Sequence, residues 1–316
     1  MRRAALAFAL IAAPVAAQTP VEAPGPQGAL TGTLTGEGPG KGGARPVVLI
    51  VPGSGPTDRD GNNPMGVKAA PYRLLAEALA REGIATVRID KRGMFGSKAA
   101  IPDANAVTIA DYAADVHAWA KVVRRRTGAP CVWVLGHSEG GLVALAAAQT
   151  PADLCGLILI ATPGRPLGAV LREQFRANPA NAPLLPQVDA TLAALETGKS
   201  VDHAALHPAL AGLFPPVLDG YWRSILSYDP ATLIAHYRGP VLIEQGSRDI
   251  QVSPADARAL AAAQPRARLA IVDGANHVLK HVATDDRAAN AATYGEPSLP
   301  LAGGVVAPIV AIVKRR

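Results

Sequence analysis

Val132-Trp133-Val134-Leu135-Gly136-His137-Ser138-Glu139-Gly140-Gly141-Leu142-Val143-Ala144 runs from a β-rich segment, through a serine flanked by glycines, into an Ala-rich segment of helical composition reaching Gln149. This is the Gly-x-Ser-x-Gly arrangement. A serine on a sharp strand-to-helix turn projects its hydroxyl from the edge of a sheet, and the turn crowds the positions two before and two after it, so only very small side chains fit there. With 31 glycines in the chain the string alone is a moderate signal. The strand before it and the helix after it make Ser138 a candidate nucleophile rather than part of a structural Gly-rich turn.

The same alternation continues on both sides. Upstream, Val47–Val51 is a β-branched run suited to a strand buried on both faces. A helix over Tyr72–Arg81 opens on Pro71, and Ile84–Ile89 is a second strand. Thr108 caps a helix in which Ile109, Tyr112, Val116, Trp119 and Val123 recur at helical spacing. Cys131–Leu135 is the strand before the serine. Downstream, Leu157–Ile160, Val241–Glu244 and Leu269–Val272 are strands, Ala255–Ala263 is helical between the last two, and Val305–Val313 is a closing helix. Alternating strands and helices imply an α/β fold with a parallel sheet covered on both faces. The rhythm breaks over 165–237, which holds scattered prolines, helical fragments and the aromatics Phe175, Phe214, Tyr221, Trp222 and Tyr228. Because the β pattern then resumes, this stretch reads as a helical cap inserted into a core formed by residues 45–164 and 238–316, in preference to a second independent domain.

The chain has 316 residues, 49% of them hydrophobic and 18% charged, enough to build a sizeable core. Residues 1–17 have a basic start (Arg2, Arg3), a short apolar run and the small residues Val15-Ala16-Ala17, the pattern of a secretory signal cleaved after Ala17. This predicts export to the periplasm or beyond. No apolar run is long enough for a stable membrane span. Residues 18–44, rich in Gly, Pro and Thr, read as a flexible leader with edge strands around Ala29–Leu34. Its Gly36–Gly42 stretch lacks the spacing and the Ser or Thr of a phosphate loop. The formal charge of +6 is spread out, with clusters only at Arg124–Arg126 and Lys314–Arg316, each expected at a helix C-terminus. A nucleic-acid partner is not expected, since that footprint needs a denser patch with interleaved aromatics.

A serine hydroxyl needs a base, and seven histidines compete. His137 lies inside the turn and points away if Ser138 points into the site. His117 sits on the long helix. His203 and His207 are expected to share a helix face, but no third metal ligand accompanies them. His236 and His281 have no motif around them. His277, in Gly274-Ala275-Asn276-His277 after the last strand, opens onto the same rim as Ser138 and is the candidate base. Asp249, after the strand ending at Glu244, is the candidate acid that orients it, with Asp273 and Glu244 read as structural carboxylates. Backbone N–H donors for an oxyanion are expected from Glu139 and, in the loop Pro52-Gly53-Ser54-Gly55-Pro56-Thr57-Asp58-Arg59-Asp60-Gly61-Asn62, from Ser54, with Gly55 as the alternative. Asp58 and Asp60 do not make a calcium loop, because Ala69 occupies the twelfth place; they are expected to pair with arginines and hold the loop. Phe175, Phe214, Tyr221 and Trp222 are candidates for an apolar acyl pocket, core packing being the alternative. Cys131 and Cys155 open successive strands at the end of the sheet away from the catalytic loops. They are a disulfide candidate, two buried thiols being the alternative.

Taken as a set, the Pro52–Gly61 loop, Asp90-Lys91-Arg92-Gly93-Met94-Phe95-Gly96-Ser97, the turn at Ser138, the Asp249 loop and Gly274–His277 resemble an α/β-hydrolase of the secreted or periplasmic serine esterase type over about residues 45–316. The resemblance implies an eight-stranded, mostly parallel sheet with a cap, the chain order Ser, Asp, His, and cleavage of small-molecule acyl esters without metal or organic cofactor. Many relatives carry His before the oxyanion glycine; Pro52 stands there in this chain. A serine peptidase or thioesterase on the same fold, and an inactive binding module, are the competing functions. A dehalogenase needs a carboxylate nucleophile, and a penicillin-binding reaction needs Ser-x-x-Lys, which none of the nine serines provides.

Overall fold

The computed structural model describes residues 17–38 and 44–315; the predicted signal segment before Ala17 lies outside them, as does most of the Gly36–Gly42 loop. Eight strands form one sheet in the order β1-β2-β4-β3-β5-β6-β7-β8. They are β1 (Gln18–Pro24), β2 (Ala29–Thr35), β3 (Val47–Val51), β4 (Ala85–Ile89), β5 (Val132–His137), β6 (Leu154–Ile160), β7 (Val241–Gly246) and β8 (Arg268–Val272). β1–β2 and β2–β4 are antiparallel and all other pairs are parallel. The α/β class and the mostly parallel eight-stranded sheet expected from the sequence are therefore what the chain forms.

The central strands show why. In β3, Val47, Leu49 and Val51 enter one apolar cluster while Val48 and Ile50 enter the other; in β6, Leu157 and Leu159 divide from Ile158 and Ile160 in the same way. Side chains alternate across a strand, so a continuous apolar run is stable only between two covering layers. Helices α1 (Pro71–Arg81) and α11 (Val306–Val313) supply one layer; α2 (Ile109–Thr127), α3 (Glu139–Ala147) and α9 (Pro254–Ala263) contribute to the other. Thr108 caps α2 as expected. Its hydroxyl accepts from Asp111 N–H at 3.2 Å while Asp111 accepts from Thr108 N–H at 3.0 Å, and Arg124–Arg126 fall in the last turn.

The edge strand expected around Ala29–Leu34 is present as β2 near one end of the sheet, and the strand structure of the 18–44 stretch runs further than that. Residues 18–35 are a hairpin that extends the sheet, and Leu30 and Leu34 are fully buried in the cluster that holds Trp119 of α2. The turn-forming residues dominate the composition and mask the alternation Leu30-x-Gly32-x-Leu34 that packs this strand. Between β6 and β7 the structure contains only helices and turns: α4 (Leu167–Arg176), α5 (Leu185–Glu196), α6 (Pro208–Ala211), α7 (Asp219–Leu226) and α8 (Pro230–His236). One further helix, α10 (Arg287–Ala292), follows β8. Among the described residues no helix is long and apolar enough to cross a membrane.

Candidate active site

The parallel strands all end at one rim, where ligands of open α/β sheets bind. The turn after β5 is closely packed. Ser138 has φ 55° and ψ −122°, a conformation that costs a non-glycine residue about 1–3 kcal/mol and persists only where the surroundings impose it. They do so by close approach. A Cβ on Gly136 would fall 2.1 Å from Gly140 O, one on Gly140 would fall 2.3 Å from Val51 O, and one on Gly141 would fall 1.9 Å from Thr162 Oγ1. The Gly-x-Ser-x-Gly spacing is thus a steric requirement of this turn, with β3, β5 and β6 meeting around it. Ser138 sits at the N-terminus of α3, whose dipole favours negative charge there.

His277 and Asp249 reach the same rim from the loops after β8 and β7. His277 Nδ1–H donates to Asp249 Oδ2 at 2.9 Å, and the Asp249 side chain is fully buried. The other carboxylate oxygen accepts from the N–H groups of Gln251 and Val252 at 2.8 and 2.9 Å, and Gln245 Nε2 donates to Oδ2 at 3.1 Å. Burial alone would raise the Asp249 pKa; the neighbouring imidazole and the donated hydrogen bonds outweigh it and hold the carboxyl below its usual range. With Nδ1 carrying the proton, the free lone pair of His277 is at Nε2. Ser138 and His277 line one cavity of about 90 Å³. Among the described residues no hydrogen bond joins the Ser138 hydroxyl to His277; in unliganded sites such bonds are often long and tighten only with substrate.

The predicted backbone donors lie beside Ser138. A Cβ on Gly53 would come within 3.4 Å of Ser138 Cβ, so the loop after β3 rests on the turn after β5. Among the described residues neither Ser54 N–H nor Glu139 N–H has an acceptor. Side chains from β4 and its following loop lock this loop in place. Arg59 forms an ion pair with Asp90, Arg88 pairs with Asp60, and Lys91 Nζ donates to Gly53 O at 2.7 Å. Asp60 behaves as expected. Asp58 does not pair with an arginine: its Oδ1 accepts from the N–H groups of Asp60 and Asn62, both at 2.8 Å. Backbone donors two and four residues on are simply nearer than any guanidinium.

His137 is wired behind the site. Tyr72 O–H donates to His137 Nδ1 at 2.9 Å and accepts from Gly53 N–H at 3.1 Å, while His137 Nε2–H donates to His277 O at 2.8 Å. Burial, with the neighbouring His277 in support, pushes the His137 pKa down to about 3, so the ring is neutral. His137 also lines the smaller cavity with Ser138 and His277, and both its ring nitrogens are engaged; sequence reasoning missed this linking role, since no spacing rule pairs Tyr72 with a residue 65 positions on.

Other expectations divide. Tyr221 and Trp222 line a cavity of about 230 Å³ that also contains Ser138 and Ser54. Phe214 and Phe175 do not line it. Phe214 is fully buried and packs on Trp222, ring centroids 5.1 Å apart, and Phe175 packs against the core cluster. Aliphatic side chains such as Leu142, Val170, Leu171 and Ile225 line the cavity instead. His203 and His207 do not share a helix face. His203 lies in a 3-10 turn, bonded to Phe214 O and Asp219, and His207 caps α6, accepting from Ala209 N–H. Pro208 starts a new helix and breaks the periodicity assumed for them. Among the described residues no group of three or more His, Cys, Asp or Glu side chains is placed to hold a metal ion. Asp273 accepts from Ser247 Oγ at 3.1 Å, whereas Glu244 is buried with neither oxygen partnered, and burial raises its pKa well above the usual range. Cys131 and Cys155 form a disulfide, Cα–Cα 5.1 Å, where β5 and β6 begin.

A strained serine between a parallel strand and a helix, with histidine and aspartate delivered in that rim by later loops, defines a doubly wound α/β protein of the hydrolase class. Residues 46–284 match the alpha/beta hydrolase fold family, and the chain belongs to it. The chain is 31% identical over 219 residues to Esterase EstD of Thermotoga maritima, covering 68% of this chain and 49% of that protein; it spans about half the length of that relative. Among solved structures it resembles Est1E from Butyrivibrio proteoclasticus (TM-score 0.53, 17% identity, covering 87% of this chain and 94% of that one). It also resembles a thermophilic esterase from Thermogutta terrifontis (TM-score 0.52, 21% identity, covering 82% and 92%). At these identities the structural likenesses establish the fold.

Proposed function

We propose that the protein is a serine hydrolase that cleaves carboxylic esters through an acyl-enzyme. Ser138 is the nucleophile, His277 the base and then the acid, and Asp249 the residue that fixes the imidazole tautomer and stabilises its charge. The single observation that carries this reading is the Asp249–His277 hydrogen bond at the cavity that holds the strained Ser138. His277 Nε2 takes the hydroxyl proton as Ser138 attacks the acyl carbonyl. The N–H groups of Ser54 and Glu139 receive the oxyanion, the alcohol leaves with the proton, and water repeats the sequence.

Ester chemistry is favoured by the two cavities that meet at Ser138. The larger is walled by aliphatic and aromatic side chains and suits an apolar acyl group. The smaller, lined by Thr57, Asn63, Tyr72 and Tyr294, suits a compact polar leaving group. The esterase relative at 31% identity supports the same class. Helices from the 165–237 stretch wall the larger cavity and act as its cap. The N-terminal signal pattern and the Cys131–Cys155 disulfide together support export, since disulfides persist in oxidising compartments.

The test is a panel of p-nitrophenyl esters of rising acyl length run beside aminoacyl anilides and acyl thioesters, on wild type and Ser138→Ala. Ester turnover that vanishes in Ser138→Ala is expected. Faster turnover of anilides or thioesters overturns the ester preference, and undiminished activity in the alanine variant removes Ser138 from the mechanism.

A further inference from the structure

Lys91 is not in the catalytic set, yet it is buried beside it. Its side chain is 2% exposed, and that of its partner Glu139 is 3% exposed, with Nζ 3.2 Å from Glu139 Oε1. The same Nζ donates to Gly53 O at 2.7 Å and lies 5.2 Å from the centroid of the Tyr112 ring. Tyr221 O–H donates to the other oxygen of Glu139. Removing an ammonium and a carboxylate from water is costly, and a well-packed apolar pair of the same volume is often as stable or more so. Stability alone therefore gives little reason for an ion pair in this place.

Its connections give one. The two residues bonded to Lys91 belong to the two peptide units that supply the unpaired N–H groups at Ser138. Gly53 O and Ser54 N–H are opposite ends of one peptide, which is trans because the described residues contain no cis bond. In a trans peptide the carbonyl and the N–H point in opposite directions. Holding the carbonyl on the ammonium therefore turns Ser54 N–H away from Lys91, on the side where Ser54 lines both cavities with Ser138. Charge donated onto the carbonyl oxygen also polarises the peptide and strengthens its N–H as a donor. On the other side, Glu139 contributes its own N–H, and its side chain is fixed by Lys91 and Tyr221 at the first turn of α3.

We infer that Lys91 is a positioning residue for the oxyanion hole, a buried cation that ties the Gly53–Ser54 peptide to Glu139 and so sets the distance between the two N–H donors. The inference rests on the Ser138 hydrolase reading and adds to it a residue that touches no reacting atom. It also accounts for the Asp90-Lys91-Arg92-Gly93 segment: Asp90 anchors the loop after β3 through Arg59, Lys91 aims the loop's peptide, and Arg92 holds Asp111 and Asp115 of α2.

Donors that act only on the oxyanion stabilise the transition state and leave the ground state alone, so their misplacement lowers kcat with little change in KM. Lys91→Met is expected to lower kcat on a short-chain p-nitrophenyl ester about 10- to 100-fold with KM within about twofold. Its affinity for phenylboronic acid, which becomes a tetrahedral anion on Ser138, should fall by a similar factor. Lys91→Arg should recover part of both. Because Lys91→Met leaves Glu139 buried without its cation, Lys91→Met/Glu139→Gln is made alongside; it folds without an uncompensated charge and should show the same kcat deficit. Wild-type kcat in either variant lacking the cation overturns the inference, as does a loss carried by KM with boronate affinity unchanged. Hydrolysis abolished by Ser138→Ala but untouched by Lys91→Met overturns the role of Lys91 alone. Full activity in Ser138→Ala overturns both readings.

Discussion

Asp249 shows how much one buried side chain does through hydrogen bonds. Its two oxygens accept from His277, Gln245 and two backbone N–H groups, so Asp249→Asn keeps the shape and puts an amide donor within reach of Nδ1. The imidazole then keeps its proton on Nε2, the wrong tautomer for a base. The expected result is a kcat lowered by about 10³–10⁴ with KM little changed, read in steady-state ester hydrolysis; a loss below tenfold would place the orienting acid elsewhere. His137 makes a different prediction, in stability. Its folded pKa of about 3 lies below the ordinary histidine value. Between pH 6.5 and 3 the unfolded chain therefore takes a proton that the folded chain refuses. The contribution is fully present above pH 6.5 and is lost as pH falls through that window, amounting to about 2–3 kcal/mol by pH 4.5. His117, also lowered by burial, adds the same sign. Denaturant midpoints measured from pH 7 to 4.5 should fall steeply for wild type. They should fall less for His137→Gln, whose amide can still donate to His277 O and accept from Tyr72.

The loops that carry histidine and acid are held to one another by an element outside the sheet. Asn290 of α10 accepts from Asn276 Nδ2 at 3.0 Å and donates to Arg248 O at 2.7 Å, spanning residues adjacent to His277 and to Asp249. Asn290→Ala is expected to lower kcat several-fold without changing acyl preference, which a chain-length series would show. At the opposite end of the sheet the disulfide closes a loop of 24 residues, and replacing both cysteines by serine should cost about 3 kcal/mol in denaturant unfolding while leaving kcat unchanged. These elements were unequally legible. The strands β3 to β8, the capped α2 and the serine turn were readable because periodicity, Thr108 and the glycine spacing are local signals. The hairpin of β1 and β2 was only half readable: the edge strand around Ala29–Leu34 was expected, but β1 was not, since Gly, Pro and Thr outnumber the buried leucines that decide the pairing. Nor was Tyr72–His137, or Lys91 between Gly53 and Glu139, because those contacts exist only after the sheet has brought distant strand ends together.

Over the whole molecule, labour is divided between the sheet and the helices between β6 and β7. On the proposed reading the sheet rim sets the reaction, since every strand end that holds Ser138, Asp249, His277 and Lys91 belongs to it. On the same reading the helices set what fits: Val170 and Leu171 of α4 and Tyr221, Trp222 and Ile225 of α7 wall the cavity beside Ser138. The aromatics were visible as candidates in the sequence, but the aliphatic wall was not, since a lining leucine and a core leucine read alike until the fold leaves a gap between elements. This division predicts that size selectivity can change while the chemistry stays intact. Leu171 is only half-buried, so Leu171→Trp can extend into the cavity of about 230 Å³ without overpacking the core. Hydrolysis of the acetyl ester should stay within about twofold of wild type, while kcat/KM for the octanoyl ester falls at least about tenfold, the loss of about 1.4 kcal/mol or more of acyl binding. A parallel loss on both esters would mean that the substitution disturbs the rim. An unchanged chain-length profile would mean that the acyl group lies elsewhere and that these helices do not select it.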